Sequence, residues 1–329
     1  MPPHHVRTAH FSTTRTALVA LTTSALLALA ACGKGAEAPA TVDVNAPATG
    51  TAAAPAGEAR TGQQATAKLN AYTAGYNKLI GTFGLPETQE RYFKANIPAR
   101  KATDSVSITD GWVDQGLEQF KQGRALPAGG LEALDTAADQ LITPLDKLVT
   151  QLKALDVYYS SKAYKDDNLA KGKAQDAELR QLFTSTTAAL KNFNTALGVE
   201  QKKRGAEALA SLKASGDMLS YDTQLALQKG EELISVFTDE ADIGNPAKYQ
   251  QADALVATLE ATLADQRTQY NAAKAKKPAP DYGHESANGS LVSLVGAYRE
   301  MKQSKKASDY NSMVKYYNSA VESGNRISR

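Results

Sequence analysis

The chain has very few of the residues from which most catalytic and metal sites are built. Its 329 residues include a single cysteine, Cys32, and four histidines. Three of the histidines, His4, His5 and His10, lie in the first ten residues, which leaves only His284 for the rest of the chain. One cysteine excludes an intramolecular disulfide. One histidine excludes a zinc site built from several His or Cys ligands and the paired Glu-x-x-His motifs of di-iron bundles.

Motifs for covalent and phosphate chemistry are also missing. Neither G-x-G-x-x-G nor G-x-x-x-x-G-K-[ST] occurs. Ser312 and Lys315 match the Ser-x-x-Lys of penicillin-binding enzymes, but no Lys-Thr-Gly accompanies them, and Met313 and Val314 between them resemble core residues. A hydrolase triad would need His284 as its only imidazole base. We interpret His284 as a solvated loop residue after the Pro-rich segment, and we predict no catalytic residue and no enzyme activity.

A calcium or other metal site has only a weak candidate. The acidic group Asp239, Glu240 and Asp242 precedes Gly244, but it lacks the alternating spacing and closing Glu of a helix-loop-helix calcium site. We interpret it as a helix end followed by a turn. The sequence therefore predicts neither a resident metal nor a cofactor.

The amino terminus has the three parts of a secretory signal. Residues 1–16 contain Arg7 and Arg15 but no acidic residue, and an apolar stretch follows from residue 17 to residue 29. That stretch is shorter than the roughly 20 apolar residues of a membrane-spanning helix. We predict a cleaved signal peptide over residues 1–31.

The signal ends in Leu29-Ala30-Ala31-Cys32, which resembles the lipobox of bacterial lipoproteins. The resemblance implies a diacylglycerol thioether on Cys32, cleavage before it, and membrane attachment through several acyl chains, which together hold firmly. Gly33 stands where an Asp commonly retains such proteins at the inner membrane. In a host with two membranes this favours the outer membrane, facing the periplasm. The alternatives are an ordinary signal with a chance cysteine, or an uncleaved short anchor.

The segment after Cys32 has the composition of a tether. Residues 33–62 are mostly Ala, Thr, Pro and Gly, and their only large apolar residues are two valines. Such a segment cannot bury a core, so we predict a disordered tether over residues 32–65 with a span of about 30 Å. Without the signal the chain is formally neutral, since the signal holds two of the 37 basic and none of the 35 acidic residues. Neutrality argues against a nucleic-acid partner.

The remaining residues, 66–329, have helical periodicity almost throughout. Apolar side chains recur at intervals of three, four and seven residues, as expected for helices that pack along one another. One ladder consists of Leu134, Leu141, Leu148 and Leu155, with Ala138, Leu145 and Leu152 between them. A second consists of Phe183, Leu190 and Leu197, with Leu179, Thr186 and Phe193 between them, and continues through Leu209, Leu212, Leu219 and Leu225.

These patterns predict an all-α fold, an elongated antiparallel helical bundle with long coiled-coil-like helices, in one large domain or two small ones. Pro144 lies inside the first ladder, and the unbroken spacing favours a kink over a new helix start. Asn245-Pro246 is typical of a helix start. Residues 84–130 should form shorter helices and loops. Only residues 105–113 alternate as a strand would.

Short motifs at both ends of this region resemble one family. They are Lys68-Leu69-Asn70-Ala71-Tyr72, Tyr76-Asn77-Lys78-Leu79-Ile80, Tyr310-Asn311 and Tyr317-Asn318. Together with the lipobox, they are similar to the YiiG-like bacterial lipoproteins over residues 66–322. That family is uncharacterised, so the resemblance implies a lipoprotein with a long helical domain and supplies no activity, ligand or site residue.

Four of the 14 tyrosines precede an asparagine, at Tyr76, Tyr270, Tyr310 and Tyr317. They could line a polar groove for a peptide or glycan. The simpler interpretation is that these tyrosines pack along helix seams with their hydroxyl groups at the solvent edge.

Three functions remain compatible with the sequence. The preferred one is a non-enzymatic, lipid-anchored scaffold that presents a surface to an envelope protein or a cell-wall partner. The alternative is a helical-bundle binding module for a small molecule or metal in the periplasm. An enzyme acting on the cell wall is a third, which paired carboxylates in a cleft would support.

Overall fold

A computed structural model describes residues 56–238 and 240–327, with side chains described from residue 62 onward. The predicted signal, Cys32 and most of the predicted tether therefore lie outside the described residues. The first helix begins at Ala56, so the last part of the segment expected to be tether is helical. Ala, Glu, Arg and Gln in that part are good helix formers, and Ala65 is already buried in the core.

The described residues fold entirely into helices and their connections. The helices are α1 (Ala56–Ile80), α2 (Leu85–Ala95), α3 (Val113–Ala125), α4 (Glu132–Ser160), α5 (Ala170–Ser215), α6 (Met218–Ser235), α7 (Glu240–Gly244), α8 (Pro246–Lys274), α9 (Gly283–Ser304) and α10 (Ala307–Ile327). No strand occurs within these ranges, and residues 105–112 are irregular. The all-α prediction is confirmed, as are the shorter helices and loops expected between residues 84 and 130.

Local sequence signals set several helix boundaries. Asn245 caps α8, since its Oδ1 accepts from the backbone N–H of Ala247 at 3.0 Å, and Pro246 occupies the first helical position as predicted. Asp217 caps α6 by accepting from the backbone N–H of Ser220 at 3.1 Å. Gly216, with φ of +75°, ends α5 in the left-handed region that glycine adopts without strain. This turn places α6 directly after α5 in a helical hairpin.

Pro144 lies inside α4, which continues through it. A proline in a helix interior costs about 3 kcal/mol because it removes a backbone hydrogen bond. Burial of the ladder offsets that cost, since a fully buried leucine contributes roughly 1.5–3 kcal/mol. The buried ladder residues are Leu134, Ala138, Leu141, Leu145, Leu148, Leu152 and Leu155.

The buried apolar side chains form two separate cores. The first extends from residue 65 to residue 197 and is built by α1 to α5. The second extends from residue 226 to residue 321 and is built by α6 to α10. Since α5 has 46 residues and is about 70 Å long, it extends beyond the first core. Its C-terminal half packs on α6 and joins the two cores.

The second leucine ladder is buried only in part. Its members up to Leu197 belong to the first core. Leu209, Leu212, Leu219 and Leu225 are only half-buried. The seven-residue spacing of α5 therefore ends at Leu197, and the later leucines of this helix, Leu209 and Leu212, lie out of phase with it on a more open surface.

Helices long and apolar enough to cross a membrane are absent from residues 56–238 and 240–327.

Candidate functional site

A cavity of about 390 Å³ lies where the C-terminal half of α5 faces α6. We call it the junction groove. Small residues of α5 leave this space open. A methyl group placed on Gly198 would meet no atom within 4 Å, whereas one placed on Gly205 would meet the Gln228 side-chain nitrogen of α6 at 2.6 Å. Leu69 of α1 and Leu209 of α5 supply apolar walls.

Glu231 is the carboxyl group of this groove that has no partner. Within the described residues its carboxylate takes part in no hydrogen bond and no ion pair. Burial, together with the neighbouring charge of Glu232, raises the pKa of Glu231 to about 7. The side chain therefore titrates near neutral pH, where an ordinary glutamate is fully ionised.

Gln201 brings a second unsatisfied group to the same groove. Its Nε2 is buried and has no hydrogen-bond partner. A buried donor without an acceptor costs about 1–3 kcal/mol. The groove therefore holds one buried amide donor and one carboxyl group, neither of which is satisfied within the fold.

The other charged residues around the groove are already engaged or exposed. Arg204 donates to Glu200 at 2.6 Å in a half-buried ion pair along α5. Glu232 pairs with Lys229 at 2.8 Å, and Lys202 is exposed. Glu231 therefore has no cation of the described chain to balance it.

The groove has the properties of a small-molecule binding site. Such sites are concave and mostly apolar, occupy about 300–1,000 Å³, and carry a few polar groups that orient the ligand. Its described lining contains no histidine and no cysteine. Chemically, the arrangement can accept hydrogen bonds through Glu231 and donate one through Gln201.

Comparison with known proteins identifies a family for this fold. The model of a family described as "Protein of unknown function (DUF3829)" matches residues 63–312. The chain belongs to this family. No curated protein and no solved structure matches the chain. Membership in DUF3829 thus defines an uncharacterised helical domain, and any function of this member has to be inferred from its own residues.

His284 does not lie on an exposed loop, and that interpretation was wrong. It lies in the first turn of α9 and is 5% exposed. Its Nδ1 is 2.8 Å from Thr223 Oγ1, and Gln266 Nε2 donates to its backbone oxygen at 2.8 Å. Burial lowers the pKa of His284. The chain turns into the second core immediately after its Pro-rich segment, which the local sequence does not reveal.

The Tyr-Asn pairs do not form one groove. Their tyrosines are all buried, with exposed fractions of 2–5%. Tyr76 belongs to the first core, whereas Tyr310 and Tyr317 belong to the second. The prediction that these tyrosines pack in the interior is confirmed, whereas hydroxyl groups at the solvent edge do not fit Tyr76, whose pKa is raised to about 12 by burial.

The other weak motifs are explained by packing and local hydrogen bonds. Met313 and Val314 are core residues, as predicted. Glu240 and Asp242 lie in the first turn of α7 and not at a helix end as predicted; Asp242 accepts from the backbone and side chain of Thr238 at 2.8 Å and pairs with Lys248 at 3.3 Å. Asp239 lies outside the described residues. The described ranges contain no group of three or more His, Cys, Asp or Glu side chains placed to hold a metal.

Sequence reasoning missed a recurring set of tyrosine, aspartate and cation. Tyr72 donates to Asp135 at 2.5 Å beside Lys68, and Tyr92 donates to Asp176 at 2.9 Å beside Arg180. The tyrosines and aspartates of these pairs are 63 and 84 residues apart, so no local spacing predicts them. Glu231 is equally inconspicuous in sequence.

Proposed function

We propose that this protein is a lipid-anchored, non-enzymatic protein of the cell envelope that binds a small molecule in the junction groove. The observation that carries the proposal is one cavity that holds two different groups: the half-buried carboxyl group of Glu231, which has no ion-pair partner among the described residues, and the buried amide nitrogen of Gln201, which has no hydrogen-bond acceptor there. A buried donor without an acceptor costs free energy that a bound partner or water recovers. This favours the binding module over the scaffold.

The test is native mass spectrometry of the protein purified gently from its native host. We expect a bound small molecule as extra mass, and we expect Gly198→Leu to lose it, because Gly198 lines the groove and a Cβ placed there meets no neighbouring atom, which leaves room for a larger side chain to occupy the groove. Gly289→Leu is the matched control, since Gly289 also meets no neighbouring atom but lies in α9. A bare mass for the wild-type protein would contradict the binding proposal.

The membrane attachment is a separate part of the proposal. The signal over residues 1–31, the lipobox ending at Cys32 and the resemblance to YiiG-like lipoproteins support a lipidated protein. In a host with two membranes, we place it at the outer membrane, facing the periplasm, with the tether holding the domain near the surface.

Metabolic labelling with a fatty-acid alkyne tests the anchor. We expect wild-type protein to carry the label and to fractionate with membranes. Cys32→Ser should lose the label and stay uncleaved. Label retained in Cys32→Ser would overturn the lipidation proposal and leave the binding proposal unaffected.

One surface feature favours the scaffold as a second candidate. Phe83 and Trp112 are 43% and 41% exposed, with ring centroids 5.8 Å apart, and Lys78 Nζ lies 4.2 Å from the Trp112 ring centroid. Exposed aromatic side chains are enriched where proteins bind partners. An envelope protein or the cell wall would be that partner.

Co-sedimentation with purified peptidoglycan tests this second candidate. We expect the wild-type protein to sediment with peptidoglycan and the double variant, Phe83→Ser with Trp112→Ser, to remain in solution. Tyr282→Ser is the control, since Tyr282 is a single aromatic side chain that is 70% exposed. Equal sedimentation of all variants would exclude the aromatic pair as a cell-wall contact.

A further inference from the structure

We propose that the junction groove selects molecules that combine a primary ammonium group with a hydrogen-bond acceptor on an apolar body. Glu231 accepts from the ammonium group, and Gln201 donates to the acceptor. This inference rests on the proposed binding function and names its ligand class.

The charges around the groove favour a cationic head group. Among the described residues Glu231 takes part in no ion pair, whereas Arg204 is balanced by Glu200 and Glu232 by Lys229; the remaining cation of the lining, Lys202, is exposed. An ammonium group would supply the missing partner through charge-assisted hydrogen bonds, which are roughly twice as strong as neutral ones. A carboxylate ligand would instead add negative charge beside two glutamates. The raised pKa of Glu231 is consistent with this, because burial and the charge of Glu232 raise it and no cation among the described residues lowers it.

A metal ion fits the groove less well than an organic cation. Calcium takes six to eight oxygen ligands, usually from several carboxylates. Glu231 is the only carboxylate of the described lining without an ion-pair partner. One carboxylate suffices for an ammonium group, which has three N–H donors to distribute.

The amide of Gln201 defines the second part of the ligand. Its buried Nε2 has no acceptor in the described structure. A ligand that carries only an ammonium group would leave this donor unsatisfied, whereas a carbonyl or hydroxyl oxygen would satisfy it. Between the polar groups, Leu69 and Leu209 present apolar surface to the body of the ligand.

The experiment compares three probes by isothermal titration with the purified full-length protein in detergent. 6-Aminohexanamide carries both an ammonium group and a carbonyl acceptor, hexanamide carries the same neutral amide without the ammonium group, and hexylamine carries only the ammonium group. Alkylamines of this type stay protonated at pH 8, where Glu231 is ionised. We expect 6-aminohexanamide to bind most tightly and hexanamide at least tenfold more weakly.

Two variants separate the contributions of the two groups. Glu231→Gln should weaken both amines at least tenfold and leave hexanamide unchanged. Gln201→Leu should weaken 6-aminohexanamide but not hexylamine. Glu207→Gln is the matched control, because Glu207 is exposed on the same half of α5 and does not line the groove. Circular dichroism of each variant verifies that it folds.

The outcomes distinguish this inference from the proposed function. Equal binding of hexanamide and 6-aminohexanamide, unchanged by Glu231→Gln, would overturn the ligand class while the groove remains a binding site. The ligand class would also be overturned, with the groove still a binding site, if no probe binds but Gly198→Leu still removes the extra mass found on the native wild-type protein. No probe binding together with a bare native mass would overturn both.

Discussion

The two cores bury polar side chains in different ways. In the first core, Asp135 is held by Lys68 at 2.7 Å and by the Tyr72 hydroxyl at 2.5 Å. In the second core, the network around His284 is built mainly from neutral side chains: Asn288 Nδ2 donates to Gln266 Oε1 at 2.7 Å, and Arg267, at the part-buried edge, donates to Asn288 Oδ1 at 3.2 Å. Charged groups tolerate burial only when they are paired, whereas neutral groups need only hydrogen bonds. In the junction groove between the cores, Glu231 has no cation and Gln201 Nε2 has no hydrogen-bond acceptor among the described residues.

The largest effect should come from unpairing the buried charge of the first core. Asp135→Ala leaves the fully buried Lys68 without its counter-ion, and we expect a loss of about 3–5 kcal/mol in the free energy of unfolding. Denaturant titration measures this loss. Replacing the whole set (Lys68→Met, Tyr72→Phe, Asp135→Leu) should recover most of it. A loss below about 1 kcal/mol for Asp135→Ala would contradict the pairing argument.

Removing a buried amide side chain from the second core should lower the free energy of unfolding by less. Asn288→Ala removes the hydrogen bonds that Asn288 donates to Gln266 Oε1 and to the backbone oxygen of Leu263 and the one that it accepts from Arg267, and we expect a loss of about 1–3 kcal/mol in the free energy of unfolding. Asn271→Ala is the control, because Asn271 is exposed on α8. If Asn288→Ala proves as costly as Asp135→Ala, the contrast between charged and neutral cores does not hold.

Substitution by alanine should stabilise the protein at a glycine of the groove and destabilise it at a glycine of the second core. Gly198→Ala adds a methyl group to open space within a helix, and we expect a gain of about 0.5–1 kcal/mol. Gly230→Ala places its methyl group 2.8 Å from Leu291 Cδ2, so it should destabilise the second core. Thermal unfolding of both variants measures the difference. If Gly230→Ala instead stabilises the protein, the second core has room for the added methyl group.

The remaining effects should appear as opposite pH dependences of the free energy of unfolding. Burial lowers the pKa of His284, although Asp217 and Asp281 oppose the shift, so folding disfavours its protonation. Its contribution to stability is complete above the unfolded pKa of about 6.5 and decreases as pH falls below it. Burial raises the pKa of Glu231 to about 7, so its contribution is complete below about 4.5 and is lost as pH rises through 7.

Unfolding free energies between pH 4 and 8 check both slopes. His284→Gln should flatten the decrease at acidic pH, and Glu231→Gln should flatten the decrease toward pH 8. The glutamine side chain in His284→Gln can still hydrogen-bond to Thr223, so the comparison isolates the charge. A wild-type curve that both variants reproduce would exclude the two groups as the source of the pH dependence.

Sequence reasoning succeeded where local rules and burial agree. The ladder through Leu134 and Leu155 predicted one continuous face of α4 despite Pro144, and Asn245 predicted the start of α8. It failed at His284, because a Pro-rich neighbourhood predicts exposure while the tertiary fold buries α9 from its first turn. It also placed the start of α1 too late, because the tether composition continues into residues that are good helix formers.

The junction groove is the feature that helical periodicity could not predict. Leu190 and Leu197 belong to the first core, whereas Leu209 and Leu212, which lie 12 and 15 residues beyond Leu197 and depart from the seven-residue spacing, remain half-buried. Periodicity indicates which residues share a helix face, but it does not indicate whether another helix covers that face.

The sequence by itself determined the helical class of the fold, several helix boundaries and the scarcity of metal and catalytic side chains. These follow from composition and from interactions within a few residues. Only the tertiary structure decided that the apolar residues divide into two cores, that Asp135 meets Lys68 and Tyr72, and that Glu231 and Gln201 share an open groove. Those outcomes depend on contacts between residues distant in the chain, whose burial and pairing no local spacing specifies.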